Sequence, residues 1–347
     1  MRNTWKRLFA LCLSVLLVLG CFSACGGGEE QKETEPVVTE DPVEAKTLKV
    51  LTLGHSLALD AGHMLALVAD AEGYEEMTVG TLYYAGCSLD KHVQFMNSNS
   101  TEYKLYLSST TTADEPPVTI ESVTMQQAIT HDYWDIIVMQ GGVFEIAESE
   151  KYTNGNIQKI QSFVNEHKKN PNAVFAWNMA WAPPVNDALR NTYNHEPNIY
   201  INNYKEYDDD RAKLYNAITK CVKDHITTDD TFTRLIPSGT IYENALSSYL
   251  TEADMHRDYA HATDLARVMV SYVWYCVLTG VDQLEEIKLD TIPKSFLKNY
   301  VLYPQGRTLT ENEKALILET VNNALKNPLQ MTQSQYTEAP ADYIPGM

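Results

Sequence analysis

A carboxylate and an imidazole stand three residues apart late in the chain, as Asp258 and His261. This spacing lets the carboxylate hold one ring nitrogen while the other nitrogen faces a nucleophile. Such a histidine removes a proton from an attacking hydroxyl and later returns it to the leaving group. The pair therefore predicts general acid–base chemistry, although His256, with Asp254 two residues before it, is an alternative base.

A serine that could be the matching nucleophile comes much earlier, as Ser56 in Gly54-His55-Ser56. It lies at the mouth of a predicted helix, where its own N–H points outward with the positive end of the helix dipole and could stabilise an oxyanion. Serine is also a favoured helix N-cap, so the position alone indicates capping at least as well as catalysis.

Two more positions could donate hydrogen bonds to an oxyanion. Gly86 follows an apolar stretch, and a glycine there lets the backbone approach a ligand and offer an N–H. Gln140 follows the apolar run 136–139, and its amide needs partners in such a setting, so its NH₂ could point at developing negative charge. A tight turn at Gly86 and a loop-bracing amide at Gln140 are the alternatives.

The elements that must position these residues follow from the hydrophobic pattern. Apolar runs predict strands at residues 49–54, 77–84, 136–139, 173–177 and 231–237. Helical periods occur at residues 61–68, 155–168, 209–225, 262–279 and 311–326. Alternating strands and helices predict an α/β fold, with three α/β/α layers and a mostly parallel five-stranded sheet. Ligands bind such sheets at the carboxyl ends of the strands, where Ser56, Gly86 and Gln140 stand.

The order of these blocks resembles the SGNH, or GDSL-like, hydrolase superfamily. Its members carry a serine block after the first strand, a glycine after the second, an asparagine block after the third and a late Asp-x-x-His. The resemblance covers roughly residues 48–280 and is greatest to a branch of secreted members with glutamine in the third block. The segments 84–89 and 177–181 fit that branch too. The resemblance implies the flavodoxin-like fold of these enzymes.

The same resemblance implies a role for each site residue. Ser56 becomes the nucleophile, Asp258 and His261 become its relay, and the oxyanion donors are the N–H groups of Ser56 and Gly86 with the amide of Gln140. Two positions depart from the family pattern. His55 replaces the acidic or amide residue before the serine, and Gln140 is one methylene longer than asparagine.

We therefore expect a serine esterase or acylhydrolase whose substrate is a small-molecule or glycan ester. The alternative is a glycan- or solute-binding lipoprotein that has the same fold without the chemistry. No cofactor and no metal are expected, because the sequence has no dinucleotide fingerprint, phosphate loop or HExxH motif.

The N-terminus has the pattern of an export signal. Three basic residues precede the apolar run 8–20, which is short for a membrane span. Small residues then precede Cys25, which resembles a lipobox, so we predict cleavage before Cys25 and lipidation of its thiol. Cys21 is a competing site. The prediction places the protein outside the cytoplasm, anchored to the cell membrane by lipid.

Four parts of the chain are expected. Residues 1–24 form the signal peptide, and residues 25–46 form an acidic tether without regular structure. Residues 47–282 form the hydrolase-like domain. Residues 283–347 form an extension in which one helix packs on the domain and a loose tail follows.

Charge and cysteine content exclude some partners and sites. The formal net charge is −19, from 27 basic and 46 acidic residues, so nucleic acid and anionic lipid headgroups are poor partners. Past Cys25 the chain has Cys87, Cys221 and Cys276, an odd set without metal-ligand spacing. Buried free thiols are expected, with one disulfide as the alternative.

The segment 183–210 is long and rich in tyrosine. Its aromatic residues suit sugar rings, but packing under a long loop is the preferred interpretation; they are Trp181, just before the segment, and Tyr193, Tyr200, Tyr204 and Tyr207. The run Asp208–Asp210 lacks the spaced ligands and glycine of a calcium loop, so it predicts an acidic helix start.

Overall fold

The apolar runs of the sequence form the middle strands of one sheet. The computed structural model describes residues 46–62, 64–143, 145–192, 205–292, 306–341 and 343–345. Its strands are β1 (Thr47–Gly54), β2 (Glu76–Tyr83), β3 (Tyr103–Ser109), β4 (Val118–Val123), β5 (Ile136–Met139), β6 (Val174–Asn178), β7 (Phe232–Ile236) and the short pair β8 (Thr291–Ile292) and β9 (Arg307–Thr308).

Strands β1 to β7 form a sheet in the order β4-β3-β2-β1-β5-β6-β7. Strands β2, β1, β5, β6 and β7 are parallel, whereas β3 and β4 are antiparallel and extend one edge. The predicted α/β fold with a mostly parallel sheet is confirmed. The sheet has seven strands rather than five. Strands β3 and β4 lie outside the prediction because they have no continuous apolar run of the kind that predicts the parallel strands, and most of their residues are partly or fully exposed.

Helices connect the strands and cover both faces of the sheet. The helices are α1 (Ser56–Gly62), α2 (Leu65–Ala71), α3 (Leu89–Ser98), α4 (Met125–Ile129), α5 (Ser149–Thr153), α6 (Asn156–His167), α7 (Asp187–Arg190), α8 (Arg211–His225), α9 (Ser238–Leu246), α10 (Glu252–Met255), α11 (Asp264–Thr279) and α12 (Glu311–Lys326). One group of contacting helices contains α1, α2, α9, α10, α11 and α12, and a second contains α3, α4, α5, α6 and α8.

Helix α11 is the most deeply buried of the longer helices. Nearly all its residues are buried, and it contacts α1, α2, α9 and α12. Its N-cap is Thr263, whose hydroxyl accepts from the N–H of Ala266 at 3.1 Å. The helix that follows the Asp258–His261 segment is therefore a fixed part of the core.

The segment after α12 packs against α9 and the loop behind it. The N–H of Tyr249 donates to the carbonyl of Tyr336 at 2.9 Å, and the N–H of Thr332 donates to Oδ1 of Asn244 at 2.7 Å. The sequence predicts a loose tail here because the segment has no regular period. Backbone and side-chain groups of the domain satisfy the tail's polar groups instead, so it is held in place.

Several predictions concern residues outside the described ones. They include the signal peptide, nearly all of the tether, Cys21 and Cys25, and Tyr193, Tyr200 and Tyr204. No helix among the described residues is long and apolar enough to cross a membrane. Cys87, Cys221 and Cys276 are buried and unpaired, which confirms the prediction of free thiols.

Candidate active site

The order of the parallel strands fixes where a ligand crevice can form. Strand β1 pairs with β2 on one side and with β5 on the other. The chain runs from β1 to β2 but from β5 to β6, so these two connections leave in opposite directions along the sheet. In an open α/β sheet this switch point is where ligands bind, beyond the carboxyl ends of the strands. The segments that follow β1 and β5 begin at His55 and Gln140.

Gly54, the last residue of β1, allows the chain to turn tightly into α1. A Cβ atom at Gly54 would lie 2.5 Å from the Cβ of Ala58 and 3.3 Å from Nε2 of Gln140. Because non-bonded carbon atoms pack at about 3.5–4.0 Å, only glycine fits here. The missing side chain also brings the amide of Gln140 against the turn that leads to Ser56.

Ser56 is the first residue of α1 and is partly exposed. Neither its hydroxyl nor its N–H makes a hydrogen bond to a described residue. The capping bond at this helix end comes from His55 instead, whose Nδ1 accepts from the N–H of Leu57 at 3.3 Å. Ser56 is therefore not used as a helix cap, and its hydroxyl and N–H are both available for chemistry.

His55 joins the two loops of the switch point. Since its Nδ1 accepts from Leu57, its Nε2 carries the proton and donates to the carbonyl of Gly141 at 3.0 Å. Burial lowers the pKa of His55 to about 4, although the hydrogen bond to Gly141 acts in the opposite direction. A neutral imidazole thus ties the loop after β5 to the turn that carries Ser56.

The loop after β2 lies beside the loop after β5. A Cβ atom at Gly142 would be 3.1 Å from both Cα and Cβ of Ser88, so the two loops are in close contact. Gly86 has a φ of 60°, in the left-handed region that favours glycine. Its N–H has no hydrogen-bond partner in the part of the chain that the structure describes, as an oxyanion donor requires.

Asp258 and His261 form a hydrogen-bonded pair. Both carboxylate oxygens lie 2.9 Å from Nδ1 of His261. Oδ1 also accepts from the N–H groups of Ala260 at 3.0 Å and His261 at 2.9 Å. Burial alone would raise the pKa of Asp258, but the hydrogen bonds from His261 and the two amides outweigh it and hold the pKa below its usual value. An ionised Asp258 keeps the proton on Nδ1, which leaves Nε2 as the basic nitrogen.

Asp60 binds the loop that carries His261 to helix α1. Its buried carboxylate accepts from the N–H of Ala262 at 2.9 Å, from Nη1 of Arg257 at 3.1 Å and from Nη2 of Arg267 at 2.8 Å. Burial would raise the pKa of Asp60, yet the two guanidinium groups lower it far below its usual range. The carboxylate therefore stays ionised.

This contact bonds the loop that carries the Asp258–His261 pair to the helix that begins at Ser56. Ala262 follows His261 directly, and Asp60 lies four residues after Ser56, on the same face of α1 and about 6 Å along its axis. His261 is also close enough to His55 for its charge to help lower the pKa of that ring. Ser56 and His261 make no hydrogen bond with each other. Bonds of this kind commonly tighten only when substrate binds.

Gln140 is fully buried at the end of β5. Its Oε1 accepts from Nδ2 of Asn178 at 2.9 Å, whereas its Nε2 is shielded from solvent and has no partner among the described residues. The amide therefore braces β6, as the alternative interpretation has it, and still places an unused donor beside Gly54.

The alternative base, His256, is buried and packs on Tyr242 with ring centroids 4.9 Å apart. Neither ring nitrogen has a hydrogen-bond partner among the described residues, and burial lowers the pKa of the ring well below its usual value. The carboxylate of Asp254 instead accepts from Thr251 at 2.6 Å and from the hydroxyl of Tyr343 at 2.5 Å. His256 and Asp254 do not form a catalytic pair.

The aromatic and acidic residues of the insertion have structural roles where they are described. Trp181 is buried, stacks on Tyr242 at 4.5 Å and donates from Nε1 to the carbonyl of Ala260 at 2.8 Å, so it supports the His261 loop. Asp210 caps α8 by accepting from the N–H of Ala212 at 2.9 Å. No cluster of three histidine, cysteine or acidic residues among the described ones could hold a metal ion.

The fold is thus a doubly wound α/β layer structure, with Ser56 at its switch point and the loop that carries Asp258 and His261 bonded to the helix that Ser56 begins. The chain belongs to the family described as a domain of unknown function, DUF4886, whose model matches residues 49–294.

Two solved structures resemble the chain. A DUF4886 family protein from Bacteroides uniformis is 23% identical, with a TM-score of 0.67 over 84% of this chain and 100% of that one. A candidate SGNH hydrolase from Slackia heliotrinireducens is 15% identical, with a TM-score of 0.39 over 67% of this chain and 100% of that one. The similarity to the Bacteroides uniformis protein shows a shared fold. No curated protein matches the chain.

Proposed function

We propose that the protein is a serine hydrolase of the SGNH type that cleaves ester bonds. The observation that carries the proposal is the attachment of the Asp258–His261 pair, through Ala262 and Asp60, to the helix that begins with Ser56. Packing of a hydrophobic core does not require these polar residues to be attached to one another. Acyl transfer, in contrast, needs a hydroxyl, a base and a group that orients the base.

In the proposed mechanism, Ser56 Oγ attacks the ester carbonyl carbon and its proton passes to Nε2 of His261. The carbonyl oxygen becomes an oxyanion that accepts from the N–H groups of Ser56 and Gly86, with Gln140 as a third donor. The C–O bond to the alcohol then breaks, and His261 returns its proton to the departing oxygen.

Deacylation repeats these steps with water as the nucleophile. His261 removes a proton from water, the hydroxide adds to the acyl-enzyme carbonyl, and collapse releases the carboxylic acid and restores the Ser56 hydroxyl. Asp258 stays ionised throughout and stabilises the imidazolium that forms twice in each cycle. No cofactor enters any step.

The second candidate is a glycan- or solute-binding lipoprotein with the same fold. Two observations favour it: Ser56 and His261 are not hydrogen-bonded to each other, and Nε2 of Gln140 is shielded from solvent. A binder would tolerate both features, and an enzyme requires both to change when substrate enters.

We place the enzyme outside the cytoplasm, anchored by lipid on Cys25, with an ester on a surface or dietary glycan as substrate. The small residues before Cys25 and the glycines after it support this placement. Labelling cells with a fatty acid tests it, since the label should disappear in Cys25→Ala and remain in Cys21→Ala. Label lost only in Cys21→Ala would move the anchor to that residue.

The decisive experiment is hydrolysis of p-nitrophenyl acetate and butyrate by residues 46–347. Ser56→Ala and His261→Ala should each lower kcat/KM by at least about 10³-fold. Ser162→Ala, which removes an exposed hydroxyl on α6, serves as the matched control and should keep full activity. Labelling of Ser56 by a fluorophosphonate should accompany the activity. Turnover and labelling that survive Ser56→Ala, or that are absent from the wild type, would overturn the proposal.

A further inference from the structure

A line of buried hydrogen bonds runs from helix α11 to Gln140. Nε1 of Trp274 lies 3.0 Å from Oγ of Ser238, and that hydroxyl lies 2.6 Å from Oδ1 of Asn178. Nδ2 of Asn178 lies 2.9 Å from Oε1 of Gln140. The four side chains are fully buried, so water does not compete for these bonds.

The direction of the bonds in this line follows from Trp274 and Ser238 together. An indole N–H can only donate, so Ser238 Oγ accepts from Trp274, and Oδ1 of Asn178 is the one acceptor that the Ser238 proton meets among the described residues. Oδ1 of Asn178 accepts that proton, and its Nδ2 therefore faces Gln140. Gln140 can meet this donor only with Oε1, which turns its NH₂ away from Asn178.

The NH₂ group of Gln140 consequently faces the turn between β1 and α1. A Cβ atom at Gly54 would lie 3.3 Å from Nε2, so the donor lies directly against the turn before Ser56. A buried donor without a partner destabilises the folded state. Rotating the amide by half a turn would not relieve this cost, because two NH₂ groups would then face each other at Asn178.

We infer that Asn178 and Ser238 are positioning residues that hold the NH₂ of Gln140, rather than its oxygen, toward the oxyanion formed at Ser56. The inference rests on the proposed function. It assigns a role to two side chains that touch neither Ser56 nor the substrate. Since Nε2 is shielded from solvent, the turn must open around it as the oxyanion forms.

Asn178→Asp tests this line of hydrogen bonds with almost no change in the shape of the side chain. The introduced carboxylate still accepts from Ser238 but has no proton to donate to Oε1 of Gln140. The Gln140 amide then turns to donate to the carboxylate and presents its oxygen to the oxyanion. At alkaline pH we expect kcat for a p-nitrophenyl ester to fall about 10²-fold with KM nearly unchanged, as when an oxyanion donor is removed.

Three further measurements separate positioning from a general structural effect. Asn244→Asp, at a buried asparagine that binds the C-terminal segment, is the matched control and should keep its kcat. In a Gln140→Ala background, Asn178→Asp should add no further loss, because its effect passes through Gln140. Lowering the pH should protonate the introduced carboxylate, restore a donor and narrow the ratio of wild-type to variant kcat.

The outcomes distinguish this inference from the proposed function. If folded Asn178→Asp keeps the wild-type kcat and its turnover still depends on Ser56, the role assigned to Asn178 and Ser238 is overturned. The proposed hydrolase function would then still stand. The inference would also be overturned if Asn178→Asp lowered kcat by the same factor in the wild-type and Gln140→Ala backgrounds. A loss of kcat that does not change with pH would overturn it as well. A wild type that neither hydrolyses esters nor reacts at Ser56 would overturn both.

Discussion

The two sides of the candidate site are held by different kinds of interaction. On the serine side, uncharged groups hold the turn Gly54–Ser56 and the loop after β5: the neutral ring of His55 bonds to Gly141, and the amide of Gln140 bonds to Asn178. On the histidine side, ions fix the loop that carries His261: the carboxylate of Asp60 and the guanidinium groups of two arginines.

The difference follows from the distance in sequence that each side must bridge. The serine side joins the ends of neighbouring strands, which the sheet already holds side by side, so neutral hydrogen bonds need only set orientation. The histidine side joins α1 to segments about 200 residues later, as in the 207 residues between Asp60 and Arg267. Buried ion pairs give such a contact one geometry, but losing one partner leaves an uncompensated charge.

The largest change in stability should come from Asp60→Asn, which breaks the histidine side alone. The substitution leaves Arg257 and Arg267 without the buried carboxylate that they share. The free energy of unfolding should fall by about 3–5 kcal/mol, measured by urea denaturation at neutral pH. In any protein that still folds, activity should fall as well, because the single amide oxygen of asparagine cannot accept from both arginines and from the N–H of Ala262 as the two carboxylate oxygens do.

Asp224→Asn is the control for removing a paired carboxylate. Asp224 pairs with Lys220 on the exposed face of α8, and its loss should leave unfolding unchanged. Equal, small effects of the two substitutions would show that the ions of the histidine side do not hold the loop.

Lowering the pH should destabilise the serine side of the site before it affects the histidine side. Burial lowers the pKa of His55 from its ordinary value of about 6.5, which applies to the unfolded chain, to about 4 in the folded protein. Below pH 6.5 the unfolded state therefore takes up the proton first, so stability falls as the pH drops from 6.5 to 4 and levels off below. His55 alone should cost roughly 2–3 kcal/mol between pH 7 and pH 4.5. The pKa of Asp60 lies far below this window, so the histidine side keeps its charges.

Unfolding of the wild type and of His55→Gln at pH 7 and pH 4.5 measures this contribution. The variant should be less stable at pH 7 but should lose less stability on acidification. The remaining loss should come from His92 and His256, whose pKa values burial also lowers. An identical loss in both proteins would mean that His55 is not the group that responds.

The sequence could predict what depends on neighbouring residues. Continuous apolar runs locate the parallel strands, and the spacing of Asp258 and His261 anticipates a pair that forms within one loop. The polar amide of Gln140 after an apolar strand likewise indicates that it needs partners. Each of these signals lies within a few residues of the feature that it predicts.

What the sequence could not predict depends on contacts between distant segments. Asp60 lies within an apolar helical pattern, which indicates a buried charge but gives no hint of Arg257 and Arg267 as its partners. In the sequence, Asn178 and Ser238 are only polar residues at the end of a strand and the start of a helix. Their hydrogen bonds in line with Gln140 become visible only in the folded sheet. Such pairings need the register and packing of the folded chain.

The smallest of the three effects should come from Gly54→Ala, which overfills the serine side without touching any charge. The new methyl would lie 2.5 Å from the Cβ of Ala58, so α1 must shift. Overpacking of this size costs about 1–3 kcal/mol in unfolding free energy. Because α1 begins at Ser56, the shift should also lower kcat more than the modest loss of stability suggests.

Two variants decide whether the shift of α1 is the cause. Gly62→Ala lies in the same helix, where a methyl would be 3.5 Å from Oγ1 of Thr81 in ordinary contact, so stability should hold or rise slightly through the helix propensity of alanine. Adding Ala58→Gly to Gly54→Ala removes the clashing atom and should restore part of the kcat, although glycine within a helix costs up to about 1 kcal/mol. If kcat stays low in the double variant, the shift of α1 is not the cause. The methyl at position 54 then acts on the amide of Gln140, whose Nε2 would lie 3.3 Å away.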